Sequence, residues 1–259
     1  AGEITRVLSL TRPQQRFVFV NVPAAPVPSL LRNFSAPVNV KYDYSEADLT
    51  HLMAHDANAF NRWEAGQRLA LALILKGIEA HRARGKGASA AVATPQAFVA
   101  AFARVLADAP RDPAFAAEAL ALPSEVFIAE QLAEVDPDAI HAVRNALRRD
   151  LARALRAELL AAYHAHAVPG PYSPDAQAAG KRALRNLCLG YLMELDERAS
   201  RYLAFAQFEN ADNMSDTMAA LAALANCDCA ERAPALDAFY AKWKHAPLVV
   251  DKWLAVQAG

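Results

Sequence analysis

The sequence is poor in glycine, in cysteine and in any excess of charge. Nine glycines among 259 residues leave few positions for irregular backbone, which fits helices joined by short connections. None of them builds a phosphate-cradling loop, because Gly85-Lys-Gly87 is too short and is not framed by a strand and a helix. The cysteines are three, Cys188, Cys227 and Cys229. An odd number without framework spacing argues against a disulfide scaffold and for reduced thiols in a cytosol-like compartment. With 27 Lys+Arg against 28 Asp+Glu the net charge is −1. Such a balance gives no electrostatic ground for nucleic acid or an anionic membrane surface as a partner. No run reaches the ~18 apolar residues that span a bilayer. Ala1-Gly-Glu-Ile-Thr-Arg lacks the shape of a signal peptide. No serine sits in a nucleophile elbow, and no Cys/His pair has a recognisable catalytic context.

What is present is apolar sequence, 54% of the chain and enough for a sizeable core. Alanine and leucine dominate it, and both favour helix. The 15 prolines fall mainly between apolar segments. Residues 4–10, 16–22 and 38–44 instead read as strands, rich in β-branched and aromatic types. In the second, Val18, Val20 and Val22 oppose Phe17, Phe19 and Asn21; in the third, Val38, Val40, Tyr42 and Tyr44 oppose Asn39, Lys41 and Asp43. Thr11-Arg-Pro-Gln-Gln15 is the turn between the first two. Three strands are too few for a closed sandwich. Either they pack on the helices or their partners lie upstream of residue 1.

From Ser45 onward the period is 3.6. Ser45 reads as an N-cap with Asp48 in the capping-box position. Helices are expected over about 46–55, 58–83, 95–108, 113–121, 124–133, 137–167, 174–195, 198–209, 213–226, 231–244 and 247–257. Thr94-Pro95, Ser124 after Pro123, Asp136-Pro137 and Ser173-Pro174 mark starts. Ile140, Val143, Leu147, Leu151, Leu155, Leu159 and Tyr163 form one face of the longest helix. Gly85–Ser89 reads as a flexible loop. The expected fold class is therefore mainly α, an irregular helical solenoid of stacked antiparallel pairs preceded by a few β-strands, with no exact repeat period. The domains fall at 1–44 and 45–259.

Candidate chemistry is sparse. His51 and His55 lie one turn apart, a spacing that can grip zinc. Leu52 stands where a zincin needs its glutamate base, and no third ligand is near, so they read as surface histidines. His164 and His166, two apart on a helix, face different ways. Cys227-Asp-Cys229 is tighter than the usual CxxC pair and reads as structural thiols. Arg144, Arg148, Arg149, Arg153 and Arg156 form a basic stripe without interleaved aromatics. A solvated or salt-bridged face is the simplest reading; RNA binding is a weaker one.

Six segments together resemble the bacterial M1 zinc metallopeptidases of the aminopeptidase N type. They are Ser29-Leu-Leu-Arg-Asn-Phe-Ser-Ala-Pro-Val38, Phe60-Asn-Arg-Trp-Glu-Ala65, Leu122-Pro-Ser-Glu125, Ala179-Gly-Lys-Arg-Ala-Leu-Arg-Asn-Leu-Cys188, Asn210-Ala-Asp-Asn-Met-Ser-Asp-Thr-Met-Ala-Ala-Leu221 and Val250-Asp-Lys-Trp253. Their order and spacing cover about residues 29–259. The resemblance implies that residues 1–44 end a small β-sandwich and 45–259 begin a helical C-terminal domain that caps a catalytic cleft. The family's His-Glu-x-x-His zinc motif and Gly-x-Met-Glu-Asn motif have no counterpart here. By the same resemblance, helical-domain arginines that approach substrate lie beyond the point matching Gly259. So no catalytic, cofactor-binding or metal residue is expected in this chain. Zinc belongs to the whole enzyme, and the chain's partners are the catalytic domain of the same polypeptide and, through it, a peptide substrate.

The abrupt start and stop read as a cut from something longer, and a cytoplasmic protein is expected. Exposed apolar surface should then cause self-association or limited solubility. The alternative function is an independent helical scaffold that binds a protein or peptide.

Overall fold

A computed structural model describes residues 5–85 and 90–258. Its helices are α1 (Glu46–His55), α2 (Ala59–Arg84), α3 (Gln96–Asp108), α4 (Pro113–Leu120), α5 (Glu125–Ala129) and α6 (Pro137–Ala154). They continue with α7 (Arg156–Ala165), α8 (Ala176–Met193), α9 (Arg198–Asn210), α10 (Met214–Ala225), α11 (Arg232–Trp243) and α12 (Pro247–Ala258). A 3-10 turn, Arg32–Phe34, precedes them. No helix among the described residues is long and apolar enough to cross a membrane.

The helix starts follow from local chemistry. Ser45 Oγ accepts from Asp48 N at 3.1 Å, and Asp48 Oδ2 accepts from Ser45 N at 3.0 Å, a complete capping box. Ser124 and Asp136 cap α5 and α6 as expected. Two caps sit elsewhere. At α3 the extended Pro95 is itself the N-cap, and Thr94 Oγ1 donates instead to Asp150 Oδ2 at 3.1 Å. At α8 the cap is Asp175, which accepts from Ala178 N at 2.9 Å, while Ser173 Oγ donates to the same carboxylate. The helix therefore begins two residues later than Ser173-Pro174 suggests, at Ala176.

Two expected helices differ in extent. Residues 124–133 yield only α5, because after Glu130 the bonds tighten to Gln131 N→Ile128 O and Leu132 N→Ala129 O, both 3.1 Å. Residues 137–167 bend at Leu155 (φ −118°, ψ 24°) into α6 and α7. The stripe from Ile140 through Leu155 to Tyr163 stays buried across the bend. Both halves meet α8, but α6 also packs on α2 and α5 whereas α7 also packs on α3. Bending lets one apolar face serve both sets.

The three expected strands do not form a ladder among the described residues. A strand needs a neighbour to satisfy its backbone groups, and these runs have none among the described residues. Val7 and Val20 are 82% and 76% exposed. The later part of this segment, from about Val27 to Tyr44, meets the helices. Tyr44 OH donates to Pro28 O at 2.7 Å, and Arg68 Nη2 donates to Tyr42 O at 2.9 Å while lying over the Tyr44 ring. Ile4 and residues 86–89 of the expected loop lie outside the described residues.

The helices stack as a solenoid, with α1 on α2, α9 on α10, and α10 through α12 in succession. α8 is central, packing on α4, α6, α7, α9 and α10. Its Leu184, Cys188, Leu189, Tyr191 and Leu192 are buried. Tyr191 stacks edge-on against Phe102 at 5.5 Å, lies under Arg148, and donates its hydroxyl to Leu120 O at 2.7 Å. Tyr191→Phe strands that buried carbonyl and should cost about 1–3 kcal/mol in a denaturant titration.

Acid should unfold the array progressively. The Ser45 hydroxyl and backbone hold Asp48 below the usual carboxylate range, and the Ser173 hydroxyl with the Ala178 N–H does the same for Asp175. Folding thus favours the charged forms. Their contribution is complete above the ordinary carboxylate pKa of about 3.9 and is lost as pH falls through the lowered values. Thermal midpoints should decline from about pH 5 to about pH 2. The double variant Asp48→Asn, Asp175→Asn should show a shallower decline.

Candidate functional site

Two places concentrate polar side chains. The first is the seam where the leading segment meets α1 and α2. The Asp56 side chain is 1% exposed and accepts from Arg32 Nη1 at 2.7 Å and from Asn58 N at 2.8 Å. Asn61 Nδ2 donates to Ser29 Oγ at 2.7 Å and to Leu30 O at 2.9 Å. Asn58 Nδ2 donates to Asn33 Oδ1 at 2.9 Å, and the Phe34 and Phe60 rings pack at 4.6 Å. These contacts hold Leu31, Asn33 and Phe34 at φ values of 50°, 56° and 54°. The left-handed region is costly for non-glycine residues, especially bulky ones, so the surroundings must impose it. Leu30, Phe34, Tyr44, Leu49, Phe60 and Arg68 are among the residues lining a mainly apolar cleft of about 630 Å³ here.

The second place is a cleft of about 470 Å³ among α7, α8, α9 and the start of α10. Gln207 is buried; its Nε2 donates to Asn186 Oδ1 at 2.7 Å and Asp216 O at 3.0 Å, and its Oε1 accepts from Tyr163 OH at 3.0 Å. Asp216, also buried, accepts from Asn186 Nδ2 at 2.8 Å and Asn213 Nδ2 at 3.0 Å. Arg185 Nη2 donates to Tyr163 OH at 2.9 Å, with Nη1 4.0 Å from Asp216 Oδ2. Burial raises the Tyr163 pKa, against the nearby Arg185 charge. Arg182 lies over the Tyr172 ring. These groups mostly satisfy one another. The arrangement can order helices and offer polar contacts to a ligand; it contains no nucleophile paired with a base.

The candidates from sequence are scattered. His51 and His55 are exposed, with ring centroids 5.1 Å apart. Among the described residues, no three of His, Cys, Asp and Glu gather as a metal site, so this pair does not fit a catalytic zinc. His164 is exposed beside the Tyr163 ring, whereas His166 is buried with Nδ1 2.8 Å from Ala162 O. The arginine stripe is tied down by protein partners. Arg144 Nε donates to Pro123 O at 2.7 Å, and burial lowers its pKa. Arg148 and Arg149 reach Glu194, Arg153 reaches Asp150, and Arg156 reaches Glu197. Cys188 is buried, which pushes its thiol up to about 12.

The polar network was not legible in sequence, since Tyr163, Asn186, Gln207 and Asp216 come from four helices. Its one signal was indirect. Two segments of family resemblance, Ala179–Cys188 and Asn210–Leu221, meet in this cleft. Likewise Ser29–Val38 and Phe60–Ala65 meet at the seam.

A helical array behind a short non-helical lead defines a repeat-type helical scaffold. The chain belongs to the family described as "Domain of unknown function (DUF3458_C) ARM repeats", whose model matches residues 46–259. Residues 1–43 match "Domain of unknown function (DUF3458) Ig-like fold", in keeping with the expected end of a β-sandwich. Aminopeptidase N of Escherichia coli is 41% identical over 255 residues, 98% of this chain but 29% of that protein. Aminopeptidase N of Caulobacter vibrioides is 39% identical over 98% of the chain and 28% of its own length. In structure, the chain is similar to Legionella pneumophila aminopeptidase A solved with aspartic acid, with a TM-score of 0.76 and 32% identity over 93% of this chain and 28% of that one. The chain thus spans under a third of the relatives it matches and resembles a C-terminal part of them.

At the seam, Arg32→Ala leaves the Asp56 carboxylate buried without its counter-charge. Chemical denaturation should report a loss of about 3–5 kcal/mol.

Proposed function

We propose that this chain is the access-restricting part of a zinc-dependent aminopeptidase. Residues 1–44 would complete a β-sandwich, and 45–259 would form the first part of the helical domain that caps the catalytic cleft. The whole polypeptide would remove N-terminal residues from peptides in the cytoplasm, a zinc-bound water attacking the first peptide carbonyl with a glutamate as base. The zinc ligands and that glutamate would come from the catalytic domain of the same polypeptide. This chain would supply no catalytic, cofactor-binding or metal residue. The observation that carries the reading is the match of nearly the whole chain to less than a third of aminopeptidase N. The paired clustering of the family segments supports it.

A second reading, an independent scaffold for a peptide or protein, draws on the polar cleft among α7, α8, α9 and α10. The reading frame separates the two. A His-Glu-x-x-His motif encoded a few hundred codons upstream favours the first, and a start codon beside Ala1 favours the second.

Assayed alone with an alanyl anilide and added zinc, the 259-residue chain should show no turnover. Chelator-sensitive turnover would overturn the division of labour. In the full-length polypeptide, loosening the array with Leu147→Ala should raise cleavage of long peptides relative to the anilide. An unchanged ratio would remove the access-restricting role.

A further inference from the structure

Cys227 and Cys229 play no part in the proposed function, yet their surroundings differ from that of a structural thiol. They sit in the turn between α10 and α11 and are both half-exposed, whereas Cys188 is buried. Cys227 N donates to Leu224 O at 3.1 Å, ending α10, and Cys229 N donates to Cys227 O at 3.0 Å. A bond from residue i+2 back to residue i closes the smallest backbone turn. Folding the chain back in this way suits the roughly 4.4–6.8 Å between α-carbons that a disulfide spans. The usual two-residue spacing is therefore not needed here. The Cys227 thiol also donates to Asp196 Oδ1 at 3.6 Å.

We propose that Cys227 and Cys229 form a reversible intramolecular disulfide, a redox site that exchanges with small disulfides of the glutathione type. Cys229 acts first. Desolvation and the Asp196 carboxylate that accepts from its thiol disfavour a thiolate at Cys227, which makes it the poorer nucleophile at neutral pH. The Cys229 thiolate attacks one sulfur of glutathione disulfide, whose S–S bond breaks. The departing glutathione thiolate takes up the proton that Cys229 lost. Cys227 sulfur then attacks the Cys229 sulfur of the mixed disulfide. The second glutathione leaves and takes the Cys227 proton. One S–S bond forms in the protein as one is broken in the oxidant; two protein thiols are oxidised and the small disulfide is reduced to two thiols. Joined across one tight turn, the two sulfurs need no diffusive encounter for the closing step. A ring closed across one intervening residue removes little entropy from the unfolded chain, so the bond is of the labile, responsive kind rather than a structural brace.

The test is peptide mapping of the 259-residue chain after equilibration at neutral pH in a series of glutathione redox ratios and quenching with a maleimide. At oxidising ratios the peptide bearing residues 227–229 should lose two hydrogens and carry neither glutathione nor maleimide. A dithiol reductant should reverse this. Cys227→Ser, unable to close the ring, should accumulate one glutathione on Cys229. The proposal falls if wild-type Cys227 and Cys229 both carry glutathione or maleimide at every ratio. It falls equally if Cys227→Ser takes up no glutathione while its circular dichroism matches that of the wild-type chain.

Discussion

The structure depends on α8 being buried from more than one direction. A helix with α4, α6, α7, α9 and α10 around it cannot present one apolar stripe and one polar face. Leu184, Cys188, Leu189 and Leu192 fill the apolar contacts, and Tyr191 carries its hydroxyl to the α4 carbonyl of Leu120. On another side, Arg185 and Asn186 reach Tyr163, Gln207 and Asp216. Polar groups at such a depth are tolerated only when paired. The pairing in turn fixes how α7, α9 and α10 sit around the central helix. The cleft is a by-product of that arrangement as much as a site.

The seam works by a similar exchange. Arg32 and Asn61 neutralise and satisfy groups that burial would otherwise penalise, and they join segments far apart in sequence. They also maintain a backbone that Leu31 and Phe34 would not adopt alone. The conformation of the junction is thus imposed from the helical side, through Asp56, Asn58 and Asn61.

Local chemistry was readable in the residues and long-range geometry was not. The capping box at Ser45 and Asp48, and the cap at Asp136, involve atoms three residues apart, so sequence suffices to place them. The bend at Leu155 escaped because the apolar stripe passes through it unbroken; beyond their shared contact with α8, α6 packs on α2 and α5 and α7 on α3. The runs at 16–22 and 38–44 alternate as strands do but lack partners among the described residues, and no single-strand pattern reveals that. The absence of a zincin motif at His51–His55 was plain from Leu52. The Gln207 network was hidden, since its members become neighbours only after four helices pack.

The hydrogen bonds at the seam have a mechanical consequence. Arg32, Asn33 and Ser29 grip the α1–α2 corner side by side, so a force on the leading segment is passed into α2 rather than absorbed by a loose linker. α2 spans 26 residues and packs on α6, which packs on α8. A tilt imposed at residues 29–34 would travel along this line of rigid rods into the helical array.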